Sequence, residues 1–137
     1  MLEWLFNTNP KKTIAKKAVR RAQKLLRSRQ APEFNAKVDY LLWYGAVDID
    51  PKYCVVWIIL SGPDSELIPA MLMPARDEKS RRRATEALSP KDCQWLEELA
   101  AAVEREFRAC GWEWQTPNIG IESAERVKRG GGFFYFR

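Results

Sequence analysis

The sequence predicts an α+β fold in which an antiparallel or mixed sheet of four to six strands packs against two long helices. Two segments, residues 10–29 and 90–110, carry apolar residues at helical spacing. Apolar segments rich in β-branched and aromatic residues lie between these helices, and shorter ones follow the second. Glycine, proline and aspartate separate the segments, as is typical of turns. The predicted order of elements is α-β-β-β-α-β-β.

The composition is that of one globular domain. Of the 137 residues, 46% are apolar and 30% are charged, a balance that supports a continuous core and differs from that of disordered chains. Neither a repeat nor a long linker divides the chain. We therefore predict a single domain over residues 1–137, with a basic amphipathic helical segment at 1–30 and the sheet and second helix at 37–137.

The first helix is predicted over residues 10–29. Asn9 and Pro10 form a typical helix start, because asparagine caps the first turn and proline fits within it. Pro32 then stops the helix. The apolar residues that recur at helical spacing are Ile14, Ala15, Ala18, Val19, Ala22, Leu25 and Leu26.

Three strands are predicted between the helices. Residues 37–49 are apolar at odd and even positions, which indicates a strand covered on both faces, and residues 53–60 are almost entirely apolar. Residues 66–73 are predicted to form a third strand. Pro69 cannot donate a hydrogen bond to a neighbouring strand, so the third strand is expected at an edge or a bulge.

The second helix has the clearest local signals. Ser89 is a typical N-cap, Pro90 fits the first helical position, and Asp92 follows three residues after the cap. Gly111 is a typical C-cap. Beyond the helix we predict short strands at residues 112–114, 119–121 and 133–136. One turn of helix is predicted at residues 123–129.

The positive charge is concentrated at the N-terminus. Residues 1–30 contain nine lysines and arginines and one glutamate, a net charge of +8, whereas the remaining residues contain 14 basic and 17 acidic side chains, a net charge of −3. Such a helix is typical of nucleic-acid-binding or membrane-surface segments. The alternative is a helix that docks its apolar stripe on the sheet and exposes a merely solvated basic face. The candidate polyanion-binding residues are Lys16, Lys17, Arg20 and Arg21.

The residue types argue against most familiar catalytic chemistry. Histidine is absent, which removes the usual general acid or base and the commonest metal ligand. Asp48 and Asp50 form a pair that in some enzymes holds a divalent cation, but an ordinary turn at Asp50-Pro51 also explains them. We assign no catalytic, cofactor-binding or metal-binding residue. The absence of histidine weighs against an enzyme and leaves a carboxylate-based or lysine-based mechanism open.

The cysteines and the hydropathy pattern favour a cytoplasmic location without a membrane span. The three cysteines are odd in number and lack C-x-x-C spacing, so buried free thiols in a reducing compartment are expected. The longest uninterrupted apolar stretch, residues 54–60, is much shorter than the roughly 18 residues that a spanning helix requires.

Six tryptophans are many for a chain of this length. Trp43 and Trp57 fall in predicted central strands and are expected in the core. Trp95 precedes the apolar stripe of the second helix, and Trp112 and Trp114 flank its end. These last three are the predicted partner-binding residues of an exposed aromatic patch.

The C-terminal segment from Arg129 to Phe136 reads RGGGFFYF and resembles the signature of the RNA-recognition motif, which has a basic residue, glycines and an aromatic strand. Gly131 stands where that motif has a base-stacking aromatic residue, and the motif continues into a helix and a strand that have no counterpart after residue 136. The alternative is a glycine-assisted turn that leads into a terminal strand.

A second resemblance covers residues 37–137. It rests on DYLLWYGAVDIDP at 39–51, VVW at 55–57, and the segments at 123–127 and 131–136. With these segments the chain resembles small uncharacterised bacterial proteins. The resemblance implies a bacterial cytoplasmic setting and implies no activity, cofactor or active-site residue.

Three functions from different classes are expected in the following order. The first is a non-enzymatic module that binds another protein or a second copy of itself. The second is a nucleic-acid binder that uses the basic helix and the C-terminal aromatic strand. The third is a metal-dependent enzyme that uses Asp48 and Asp50.

Overall fold

The computed structural model describes residues 10–68, 71–72, 82, 86–132 and 136, and these residues form an α+β architecture. The elements in chain order are α1 (Pro10–Leu26), β1 (Lys37–Tyr44), β2 (Val55–Ser61), β3 (Met71–Leu72), α2 (Pro90–Ala109), β4 (Asn118–Ser123) and α3 (Ala124–Arg129). Single turns of 3-10 helix lie at Pro51–Tyr53 and Ser65–Leu67.

The sheet is mixed and is built on three strands of six to eight residues. β1 pairs antiparallel with β2, and β2 pairs parallel with β4. The two-residue β3 adds antiparallel to the outer side of β4, so the order is β1-β2-β4-β3. A parallel pair needs a long connection, which α2 supplies between β2 and β4. The predicted edge position of the third strand is confirmed.

The predicted order of elements is wrong after α2. Residues 112–114 are not a strand, because the Trp112 amide still donates to the Phe107 carbonyl at 2.9 Å and continues the end of the helix. The strand predicted at 119–121 is confirmed as β4, and the turn of helix predicted at 123–129 is confirmed as α3. Of the strand predicted at 133–136, residues 133–135 lie outside the described residues, and Phe136 is in a helical turn.

β1 is shorter than the predicted strand at 37–49 because the chain turns at Gly45. Gly45 has a φ of +129°, and a Cβ at this position would overlap the carbonyl oxygen of Tyr53. The chain then turns through residues 46–50 toward β2. Likewise α1 ends at Leu26 rather than at residue 29, since the Ser28 and Arg29 backbone pairs with Val38 of β1.

Both long helices pack on the same face of the sheet. α1 and α2 contact each other, and α1 also contacts β1. Val38, Val56 and Ile58 alternate with residues that point to the opposite face, and they belong to one core with the buried sides of both helices. The helical members of this core include Ala15, Ala18, Val19, Ala22, Leu26, Leu96, Leu99, Val103 and Phe107.

The capping signals of α2 are confirmed. The Ser89 Oγ accepts a hydrogen bond from the Asp92 amide at 3.2 Å, and Gly111 has a φ of +98° just after the helix. The buried Asp92 carboxylate accepts hydrogen bonds from the amides of Glu33 and Phe34 at 2.8 and 3.1 Å. Asp92 therefore fixes the loop between α1 and β1 on the start of α2.

The opposite face of the sheet holds a buried ion pair between β4 and α3. The Glu122 carboxylate is 1% exposed and accepts from the Arg126 Nε at 2.6 Å. The same guanidinium donates to the backbone carbonyls of Glu66 and Ile68 at 3.2 and 2.6 Å. Arg126 thus joins α3, β4 and the segment after β2.

The buried thiol of Cys54 leads to a prediction about reactivity and pH. Burial raises the pKa of Cys54 to about 12, so the thiol stays neutral and is shielded. At pH 8 we expect a disulfide reagent such as Ellman's reagent to label Cys54 only on unfolding, as mass spectrometry of the labelled peptides would show. Native labelling of Cys54 as fast as labelling in urea would contradict this.

The same shift predicts the sign of a pH effect on stability. The pKa of Cys54 is higher in the folded than in the unfolded chain. The resulting contribution to stability is therefore complete below the ordinary thiol pKa and is lost as the pH rises toward 12. Replacement of Cys54 by alanine should make the free energy of unfolding fall less steeply in alkaline buffer.

Candidate functional site

The helix α1 has an apolar side and a basic side. Its 17 residues include seven lysines and arginines and no acidic residue. Ala15, Ala18 and Ala22 are fully buried, and their small side chains allow close packing against the rest of the core. Because this side is occupied, the opposite side faces solvent with its cations.

Five of these cations form an exposed surface that we call the basic face: Lys12, Lys16, Lys17, Arg20 and Lys24. Four of them recur at every fourth residue, so one cation follows another about every 6 Å along a line of about 18 Å. Within the described residues, no carboxylate lies within ion-pairing distance of any of the five. The face therefore presents its positive charge to solvent.

Arg21 has a different role from its neighbours. Its Nε lies 3.1 Å from the Oε2 of Glu106 on α2, and the geometry is that of an ion pair rather than a hydrogen bond. Lys11 is also engaged, since its Nζ lies 5.4 Å from the ring centre of Trp114. Of the four predicted polyanion-binding residues, Lys16, Lys17 and Arg20 thus lie on the basic face, whereas Arg21 joins α1 to α2.

The prediction of an exposed aromatic patch at three tryptophans is wrong. Trp95 is 9% exposed and packs edge-on against Phe34, with 6.1 Å between ring centres. Trp112 is 2% exposed, packs against Phe107 at 5.3 Å, and donates its indole N–H to the Gln115 carbonyl. These two side chains belong to the core.

Trp114 is the most exposed of the three predicted partner-binding residues. It is half-buried, and its ring centre lies 5.1 Å from that of Trp112. Since Lys11 covers its ring, Trp114 helps to hold the start of α1 against the segment after α2.

An aromatic cluster occupies the sheet face that points away from the long helices. The Trp57 indole donates to the Tyr44 hydroxyl at 3.0 Å, and the Phe136 ring lies 5.2 Å from that of Trp57. A Cβ at Gly120 would lie 2.6 Å from the Trp57 ring, so glycine allows the indole to lie against β4. The C-terminal Phe136 is therefore packed on the sheet, and Trp57 is half-buried on this face.

The strand predicted over residues 37–49 ends before the aspartate pair, at Tyr44. Asp48 is exposed in the loop after β1, and the Asp50 Oδ1 accepts from the Lys52 amide at 2.9 Å as the cap of a 3-10 turn. The turn interpretation is the one that the contacts support.

Across the described ranges, no group of three or more potential metal ligands comes together. None of the helices among these residues has the length and hydropathy to cross a membrane.

A groove of about 230 Å³ lies between α1 and α2 near the end of α1. The buried side chains of Leu26, Trp95 and Leu99 lie at its base, and Leu25, which is 46% exposed, lines its side. Arg29, Glu98 and Arg105 are exposed residues that also line it. The sequence did not indicate this groove, because it arises where two helices distant in the chain run side by side.

No protein-family model matches the chain, and neither a curated protein nor a solved structure matches it. The resemblance to small bacterial proteins stays a prediction. Function is therefore inferred from the charge and geometry of the described surfaces.

Proposed function

We propose that this protein binds nucleic acid through the phosphate backbone, with the basic face of α1 as the contact surface. The observation that carries this proposal is the line of cations on α1 that have no acidic partner among the described residues. Unpaired cations at regular spacing neutralise phosphates and release the counterions that are condensed on the nucleic acid. This release is the main source of sequence-independent affinity.

The charge distribution supports a defined orientation of binding. Residues 1–30 carry a net charge of +8 and the remaining residues carry −3. A polyanion is attracted to the α1 side and is weakly repelled from the rest of the surface. The protein therefore meets its ligand with one face.

A membrane surface is a less suitable ligand for α1. Helices that lie on membranes insert an apolar face between the lipids. On α1 that face is buried against the core, where Ala15, Ala18 and Ala22 are 0% exposed. Nucleic acid requires only the basic face and leaves this packing intact.

Binding of another protein, the function predicted first, has less support at the predicted anchors. Trp95 and Trp112 are buried, and a hot spot requires side chains that reach the partner. The basic face has no such obstacle, since all five cations are exposed.

Fluorescence anisotropy tests the proposal. A labelled 12-nucleotide single strand is titrated with the full chain at about 50 and 200 mM salt. Five phosphate contacts predict that the affinity falls roughly a hundredfold over this interval. Absence of binding at the lower salt concentration, or an affinity that is independent of salt, would contradict the proposal.

A further inference from the structure

We infer that the groove between α1 and α2 holds one unpaired guanine of the bound strand. This inference rests on the proposed function and adds to it a choice of single strands over duplexes and of one base over the others. Three features of the groove carry it: its apolar walls, its flanking arginines and its carboxylate.

The groove suits a small flat group. It has a volume of about 230 Å³, and its most accessible apolar residue is Leu25, which is 46% exposed, above the buried Leu26, Trp95 and Leu99. Ligand pockets for drug-sized molecules have volumes of about 300–1,000 Å³, so this one fits a single ring system. An exposed apolar side chain such as Leu25 covers a face of an unstacked base, which is itself apolar.

The flanking charges suit a phosphate on each side of that base. Arg105 has no acidic partner within the described residues, and Arg29 uses only its Nε, which donates to the Leu25 carbonyl at 3.3 Å. Each guanidinium keeps donors for a phosphate oxygen. Lys24 of the basic face precedes the groove residue Leu25, so the basic face ends within one helical turn of the groove.

Glu98 gives the groove a preference among bases. Its carboxylate accepts a hydrogen bond from Gln94 at 3.3 Å and keeps further acceptor positions. Guanine offers two adjacent donors, N1–H and the N2 amino group, which match the two oxygens of a carboxylate. Thymine places its single N–H donor between two carbonyls that repel a carboxylate. In a duplex both guanine donors are occupied by cytosine, so only an unpaired guanine can bind.

The test compares two labelled strands, a dT 12-mer and the same 12-mer with one central dG, by anisotropy at a single salt concentration. The wild-type chain is expected to bind the dG strand at least about tenfold more tightly, as for hydrogen bonds to a charged group. Addition of the complementary strand should remove this ratio. Glu98→Gln should bring the ratio close to one, and the ratio itself cancels any general effect of the altered charge.

A second variant fills the groove without changing charge. Ala101 is half-buried at the groove wall, and Ala101→Leu should also abolish the preference for dG. Thermal melting of each variant confirms that the chain is folded.

The outcomes separate the two proposals. Salt-dependent binding of both strands with a wild-type ratio near one, or a ratio that persists in Glu98→Gln, overturns the inference about the groove and leaves backbone binding in place. Failure of the wild-type chain to bind either strand overturns both.

Discussion

Replacement of Lys16, Lys17 and Arg20 by glutamine is expected to weaken single-strand binding about a hundredfold at 0.1 M salt. Each lost phosphate contact removes about 0.7 from the slope of log affinity against log salt, so three contacts remove about 2. The three side chains are exposed and unpaired among the described residues, so their loss should leave the fold intact. Anisotropy titrations at several salt concentrations measure both the affinity and the slope.

A matched variant separates local contacts from net charge. Lys52, Lys91 and Lys128 are exposed and lie outside α1, and their replacement by glutamine removes the same three charges. We expect the slope of this control to stay close to that of the wild-type chain. Equal losses in the two triple variants would mean that binding depends on overall charge and that α1 is not the contact surface.

Replacement of Arg126 by methionine is expected to lower the free energy of unfolding by about 3–5 kcal/mol. The change leaves the Glu122 carboxylate buried with its arginine partner removed. It also removes the hydrogen bonds that Arg126 donates to the carbonyls of Glu66 and Ile68. Urea denaturation followed by tryptophan fluorescence measures the effect. The double variant with Glu122→Gln should recover part of the loss, since it removes the buried charge that Arg126 neutralises.

Arg129 provides the control for this prediction. It forms an ion pair with Glu66, and both side chains are largely exposed. Side-chain hydrogen bonds from Arg129 lower the pKa of Glu66, yet solvent screens exposed pairs of this kind. Arg129→Met should therefore unfold near the wild-type urea concentration. Equal free energies of unfolding for Arg126→Met and Arg129→Met would contradict the prediction. The buried contacts of Arg126 would then not be what stabilises α3.

Local signals made α2 the most predictable element. Its cap at Ser89 and its proline at the first position mark the start, and Gly111 marks the end. Each is a local signal of the helix itself, and the structure confirms them. The end of β1 was less predictable, because Gly45 meets the carbonyl of Tyr53 only after the chain has folded back. The turn of helix predicted at 123–129 is confirmed as α3, which Ser123 caps by accepting from the Glu125 amide at 3.2 Å.

The candidate site was predictable where it depends on spacing within one helix. Lys16, Lys17 and Arg20 could be placed on a solvent face from helical periodicity, and the same periodicity extends that face to Lys12 and Lys24. Partners distant in the chain could not be predicted. The ion pair between Arg21 and Glu106 and the burial of Trp95 against Phe34 both depend on how α2 packs.

The most direct test of the central claim is a nuclear magnetic resonance titration of the ¹⁵N-labelled chain with a dT 12-mer. Binding by the basic face predicts that the largest amide shift changes fall in α1, around Lys16 and Arg20, and weaken as salt is added. Changes that centre on the sheet face around Tyr44 and Trp57, with α1 unaffected, would contradict the claim.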